Sequence, residues 1–151
     1  MQRVITGRRD DQLFLAWSAG YFDGEGCVSI TRTGTRASTY YIARVTVSSV
    51  KKDSLDLLHR AFGGYVACRR PPSMSPRQRD VWSWTIQSRR AAQFLAAVEP
   101  YLVLKRDVVR LARAFQALVP SVAIRQSWGG RGRKKAPVAL HELRLRIREK
   151  I

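Results

Sequence analysis

Apolar residues along the chain change their period several times, and each change marks an element. Asp10 or Asp11 can cap a helix. Leu13, Phe14, Leu15, Trp17 and Ala19 then run at helical spacing to about Phe22. After Gly26 the period becomes two. Cys27, Ser29 and Thr31 alternate with Val28 and Ile30, a polar loop covers 33–38, and Tyr40 to Ser49 alternates again. This pattern predicts two half-buried strands of a hairpin. Helical period returns over Lys51 to Phe62, with Leu55, Leu58 and Phe62 on one side, Asp53 as a candidate cap, and Gly63-Gly64 as the stop.

A third strand follows at Tyr65 to Arg70, then a Pro/Ser/Arg loop over 71–79 and a fourth strand at Val81 to Gln87. Ser88 can cap a helix carrying Ala91, Phe94, Leu95 and Val98, and another helix spans Leu104 to Leu118. The rest is polar and basic, with a short amphipathic helix expected over 138–150. We therefore read a basic arm at 1–10, a core at 11–120 and a basic extension at 121–151.

Two hairpins in one antiparallel sheet with helices on one face make an α+β sandwich. The other sheet face would carry Ser29, Thr31, Arg44, Thr46, Ser48, Arg69, Ser83, Thr85 and Gln87. That surface is rich in hydrogen-bonding groups. It fits either a plain solvated face or one that lies in a DNA groove.

Charge favours the second. The 151 residues hold 28 Lys+Arg against 11 Asp+Glu, a net +17, and 22 of the 28 are Arg. Arginine suits bidentate contact with phosphates and guanine edges, so nucleic acid leads the partner classes. Apolar residues at 45% are enough for a core and exclude a disordered chain. The two cysteines, Cys27 and Cys68, lack zinc-ligand spacing and read as reduced, mostly buried thiols. There is no signal-peptide pattern at the start and no membrane-length apolar run, so the expectation is a cytoplasmic protein without membrane contact.

Candidate chemistry concentrates in Asp23-Gly24-Glu25-Gly26, where two carboxylates close the first helix among glycines. Phosphodiester hydrolysis uses oxygen ligands for Mg²⁺, which binds through one or two carboxylates, waters and substrate phosphate. Equally, Asp and Gly are common where a helix ends in a turn.

Ser18 to Gly26, reading SAGYFDGEG, resembles the LAGLIDADG motif, with Ser for its first Leu and Glu for its second Asp. The following Cys27-Val28-Ser29-Ile30 is similar to the bacterial and phage form of the family. The Phe62-Gly63-Gly64-Tyr65-Val66 turn, the Trp84-Thr85-Ile86 strand, Phe94-Leu95 and Pro100 to Lys105 follow in family order. The resemblance covers roughly Leu13 to Leu118. It implies the αββαββα fold of the LAGLIDADG homing endonucleases, with helices on one face of a four-stranded antiparallel sheet and DNA on the other. It implies metal-dependent double-strand cleavage at a long near-palindromic site, leaving short 3′ overhangs, of the kind tied to intron or intein mobility.

By the same resemblance, Glu25 binds the catalytic metal, Mg²⁺ with Mn²⁺ as the other candidate, and the Gly26 carbonyl adds a contact. No organic cofactor is implied. Lys105 stabilises charge at the scissile phosphate. Ser49 stands near the family's water-ordering polar residue, with a shorter reach than the usual Gln or Asn. A single motif implies a homodimer joined through Ala16, Ala19, Gly20 and Asp23, with Asp23 supporting the helix end. The DNA readers would be Ser29, Thr31, Arg44, Thr46, Ser48, Arg69, Ser83, Thr85 and Gln87. Arg32, Arg36, Arg70, Arg77 and Arg79 would reach outer bases or phosphates, and Arg131, Arg133, Lys134 and Lys135 the backbone. The same fold also supports a non-cleaving DNA-binding regulator or an RNA maturase.

Overall fold

A computed structural model describes residues 9–34, 39–69 and 79–118, together with Glu142, Leu145 and Arg146. Residues 1–8 of the expected 1–10 arm, the helix over 138–150 apart from those three residues, and Arg36, Arg70, Arg77, Arg131, Arg133, Lys134 and Lys135 lie outside the described residues.

The element order is α1 (Arg9–Glu25), β1 (Gly26–Gly34), β2 (Thr39–Ser49), α2 (Lys52–Phe62), β3 (Tyr65–Arg69), β4 (Val81–Gln87), α3 (Ser88–Val98), a 3₁₀ turn (Glu99–Tyr101) and α4 (Arg106–Leu118). The strands form one antiparallel sheet in the order β1-β2-β4-β3, an α+β architecture. No helix among the described residues is long and apolar enough to cross a membrane.

The helices bury one face of the sheet. Val28, Ala43, Val45, Val47, Trp84 and Ile86 point into the core, where Phe22, Leu55, Leu58, Phe94, Leu95 and Val98 meet them. The centre is aromatic. The Phe94 ring stands edge-on to Phe22, Phe62 and Trp84 at centroid distances of 5.5, 4.8 and 5.2 Å. Edge-to-face rings pair a positive edge with a negative face, which helps specify one packing. Trp84 is fully buried, and its indole N–H donates to the Gly63 carbonyl at 2.8 Å, so no buried donor is left unpaired. That carbonyl belongs to the turn between α2 and β3, where Gly63 and Gly64 take φ of 74° and 86°. A Cβ on Gly64 would also overlap the Ile86 side chain and the Thr85 carbonyl, so the turn needs glycine twice over.

Several local expectations are corrected. Asp10 and Asp11 lie inside the first turn of α1, where the helix dipole favours acid, not before it. Lys51, not Asp53, precedes α2, and Gln87, not Ser88, precedes α3. Leu104 is outside α4. Cys27 and Cys68 are free but exposed, because both sit at strand positions beyond the helical cover. At the far end of β2, where β4 has no residue to pair, the Ala43 N–H is taken by the Gln116 side chain at 3.0 Å. Thus α4 closes the free edge of the strand.

Candidate functional site

The first helix runs three residues past its expected end and stops at Glu25, with β1 beginning at the next residue. Gly26 makes this direct passage possible. A Cβ there would overlap the Phe22 ring and the Phe22 carbonyl. Glu25 is exposed, and among the described residues it holds no hydrogen bond or ion pair.

Asp23 turns the other way, inward. Its carboxylate accepts the backbone N–H groups of Val103 (2.7 Å), Leu104 (3.1 Å) and Lys105 (3.0 Å), the bend that leads into α4. The Lys105 ammonium returns to donate to the Asp23 carbonyl. Burial works to raise the Asp23 pKa. The three backbone donors and the Lys105 charge outweigh it and hold the group below the ordinary aspartate value. The result ties Lys105 to the backbone two residues before Glu25. Two groups 80 positions apart in sequence therefore share one end of the sheet.

Among the described residues no three His, Cys, Asp or Glu side chains cluster as a metal cage. A free carboxylate still fits Mg²⁺, which keeps several waters and takes substrate phosphate oxygens beside one or two carboxylates. Ser49, expected to order water, takes a backbone contact. By register it stands opposite Trp82, on the helix-covered side of the sheet, and its hydroxyl accepts the Lys51 N–H at 3.0 Å. It shapes the turn into α2.

The uncovered face is a set of cross-strand rows. Ser29, Arg44 and Gln87 form one, Cys27, Thr46, Thr85 and Tyr65 the next, and Ser48, Ser83 and Ala67 a third. Thr31 lies beyond the first row, opposite Ile42. None of the four described strands contains an Asp or Glu. Alternation thus finds the right face, but not all of its members are available. Ser83 and Thr85, on the central strand β4, are 5% and 6% exposed, and their hydroxyls pair with Ser48 (2.9 Å) and Thr46 (3.5 Å). They support neighbours and do not reach outward. Arg32 pairs in register with Tyr41, which puts it in β1 on the helix side and not in the loop where it was expected. Arg79 is exposed ahead of β4, and Arg69 pairs with Val81 at the end of β3. Tyr65 was not among the expected readers, yet it is 53% exposed on this face. Its place at 65, two before 67 and four before 69, was the available signal.

The outward side of α1 presents Leu13, Ala16, Trp17, Gly20 and Gly24, all exposed. Among the described residues nothing lies within 4 Å of a Cβ built on Gly20 or Gly24. Ala19 and Asp23, expected on the dimer interface, are 0% and 8% exposed within the chain. At 3.6 residues per turn they lie on one edge of the stripe through 16, 20 and 24, the edge that the core and the 103–105 bend cover.

No family model and no curated protein sequence matches the chain. Solved structures do. The homing endonuclease I-CvuI, in complex with its target, superposes with a TM-score of 0.62 at 19% identity, over 95% of this chain and 98% of that one. The archaeal intron-encoded homing endonuclease I-Vdi141I, complexed with DNA, gives 0.66 at 10% identity over 93% and 86%. The LAGLIDADG homing endonuclease I-GzeII, in complex with its DNA target, gives 0.59 at 11% identity, over 89% of this chain but 43% of that one. The chain has the LAGLIDADG homing-endonuclease fold.

Proposed function

We propose that two copies of this chain form a site-specific DNA endonuclease that hydrolyses one phosphodiester in each strand of a near-palindromic duplex. The observation that carries this reading is the Asp23 clasp. It couples the free Glu25 carboxylate and the Lys105 ammonium at one end of a sheet face that has no acid in its strands.

Each residue has a separable task. Glu25 would hold a divalent ion, with Mg²⁺ favoured by its hard oxygen ligand. When bound, that ion polarises a phosphoryl oxygen and acidifies water. Lys105 supplies fixed positive charge where negative charge builds during attack on phosphorus. Asp23 keeps the lysine from swinging away. The open face binds and orients the duplex, and the net +17 draws it in.

The exposed small residues on the outer side of α1 support the two-fold form. Glycine inside a helix costs about 1 kcal/mol relative to alanine. Among the described residues nothing requires glycine at Gly20 or Gly24, whereas a second helix crossing closely would. I-CvuI matches the chain over nearly its full length, and I-GzeII over less than half of its own. Two copies related by a dyad would each meet one half-site.

The test is cleavage of a randomised, palindrome-biased duplex library with Mg²⁺, beside Glu25→Gln. Cut ends converging on one site, absent in the variant, are expected. Retention of particular duplexes by both proteins with no cutting would move the function to sequence-specific binding. The commitment of the Ser49 hydroxyl to the Lys51 N–H favours that second reading.

A further inference from the structure

We propose that Arg44 reads a guanine in each half-site, and that Gln87 positions Arg44 and is not itself a reader. The inference rests on the reading of the open face as the DNA face. Arg44 and Gln87 stand directly opposite each other on β2 and β4. With the Gln87 amide oxygen turned toward the guanidinium, it accepts from Arg44 Nε at 3.0 Å and from Nη2 at 2.9 Å. One edge of the fork is thereby filled. Among the described residues three donors stay unfilled, two on Nη1 and one on Nη2, and one from each nitrogen together make the end edge of a planar, always charged group.

A fork with one edge fixed presents two parallel N–H donors at a set spacing. The base edge in the major groove with two adjacent acceptors is guanine, through O6 and N7. Adenine and cytosine each offer an amino donor there, which an arginine cannot accept. The pair lies among Ser29, Thr46 and Thr85, with no carboxylate in any strand to neutralise Arg44. Gln87 cannot both hold Arg44 with its oxygen and offer the oxygen-plus-amide pair that adenine requires. The same geometry sets the position. Arg44 is three residues along β2 from Val47, which pairs with Gly26 beside Glu25. At about 3.4 Å per residue that is roughly 10 Å, or about three base pairs outward from the cut.

The experiment selects randomised duplexes by binding to the full chain in Ca²⁺, so that cleavage plays no part. Wild type is compared with Arg44→Met, Gln87→Leu and Gln87→Glu, each checked for an unchanged thermal melt. The wild type should select G at one symmetric pair of positions. Arg44→Met removes every donor of the fork and should lose preference there alone, by on the order of tenfold to a hundredfold. Gln87→Leu should weaken the same preference, and Gln87→Glu, which retains an acceptor for the fork, should keep it. An Arg44→Met variant that retains the wild-type preference at every position would overturn the assignment and leave the DNA reading standing. So would a Gln87→Leu variant that relaxes a different position. A wild type that selects no sequence would overturn both.

Discussion

Asp23 and Lys105 hold each other twice: the Asp23 carboxylate accepts the Lys105 backbone N–H at 3.0 Å, and the Lys105 ammonium donates to the Asp23 carbonyl. The same carboxylate gathers Val103 and Leu104, so one buried acid sets both the entry to α4 and the place of the lysine. Bonds to a charged acceptor contribute more than neutral ones, because the low-dielectric surroundings leave them less screened.

Asp23→Ala should therefore lower unfolding free energy by about 3 kcal/mol, measured by urea titration. It should also reduce cleavage more than DNA affinity, since the open face is untouched. A loss below about 0.5 kcal/mol, the range of ordinary surface changes, would contradict the clasp.

The same group predicts the acid limb of stability. A pKa below the ordinary value of 3.8 in the folded state means folding favours the ionised form. Its contribution is fully present above about pH 4 and is lost as pH falls through the lowered folded value. Melting temperature below pH 4 should drop less steeply in Asp23→Asn than in wild type. Parallel curves would show that Asp23 does not carry the dependence.

Lys105→Met should cut the cleavage rate by on the order of 10² to 10³ while leaving duplex retention within a few-fold, as expected for a charge acting on the transition state. Equal losses in binding and rate would instead make Lys105 a phosphate anchor.

Gly20→Leu fills space that is empty in the protomer. The single chain should fold with little change in melting temperature, but sedimentation should show monomers where wild type gives dimers. Dimers that persist in the variant would place the contact elsewhere than α1.

Gly26→Ala is the opposite case, since its Cβ meets Phe22 inside the protomer. Overpacking of this kind destabilises by about 1–3 kcal/mol. The fall should appear in the melt before any effect on association.

Much of this is legible in the sequence. Alternation alone separated Ser29, Arg44, Thr46 and Gln87 from Val28, Val45, Val47 and Ile86, because side chains in a strand point to opposite faces in strict turn. The aromatic and aliphatic periods at 13–22, 52–62 and 88–98 marked the helices, and the motif from Ser18 to Gly26 marked the site. Ser49 was placed by the resemblance, and only the structure puts its hydroxyl on the Lys51 N–H. Arg32 was expected in a loop because the apolar pattern of β1 stops before the strand does, at Gly34.

What the sequence determined by itself was therefore periodic or local: element type, sheet face, surplus positive charge and the acidic end of the first helix. Pairing between distant segments was left to the tertiary structure. Only there do Asp23 and Lys105 meet, Gln87 find Arg44, and Ser83 and Thr85 withdraw beneath their neighbours. A helix or strand records its burial in the spacing of its own residues. A contact across 40 or 80 positions leaves no period to read, because its geometry exists only after the layers have packed.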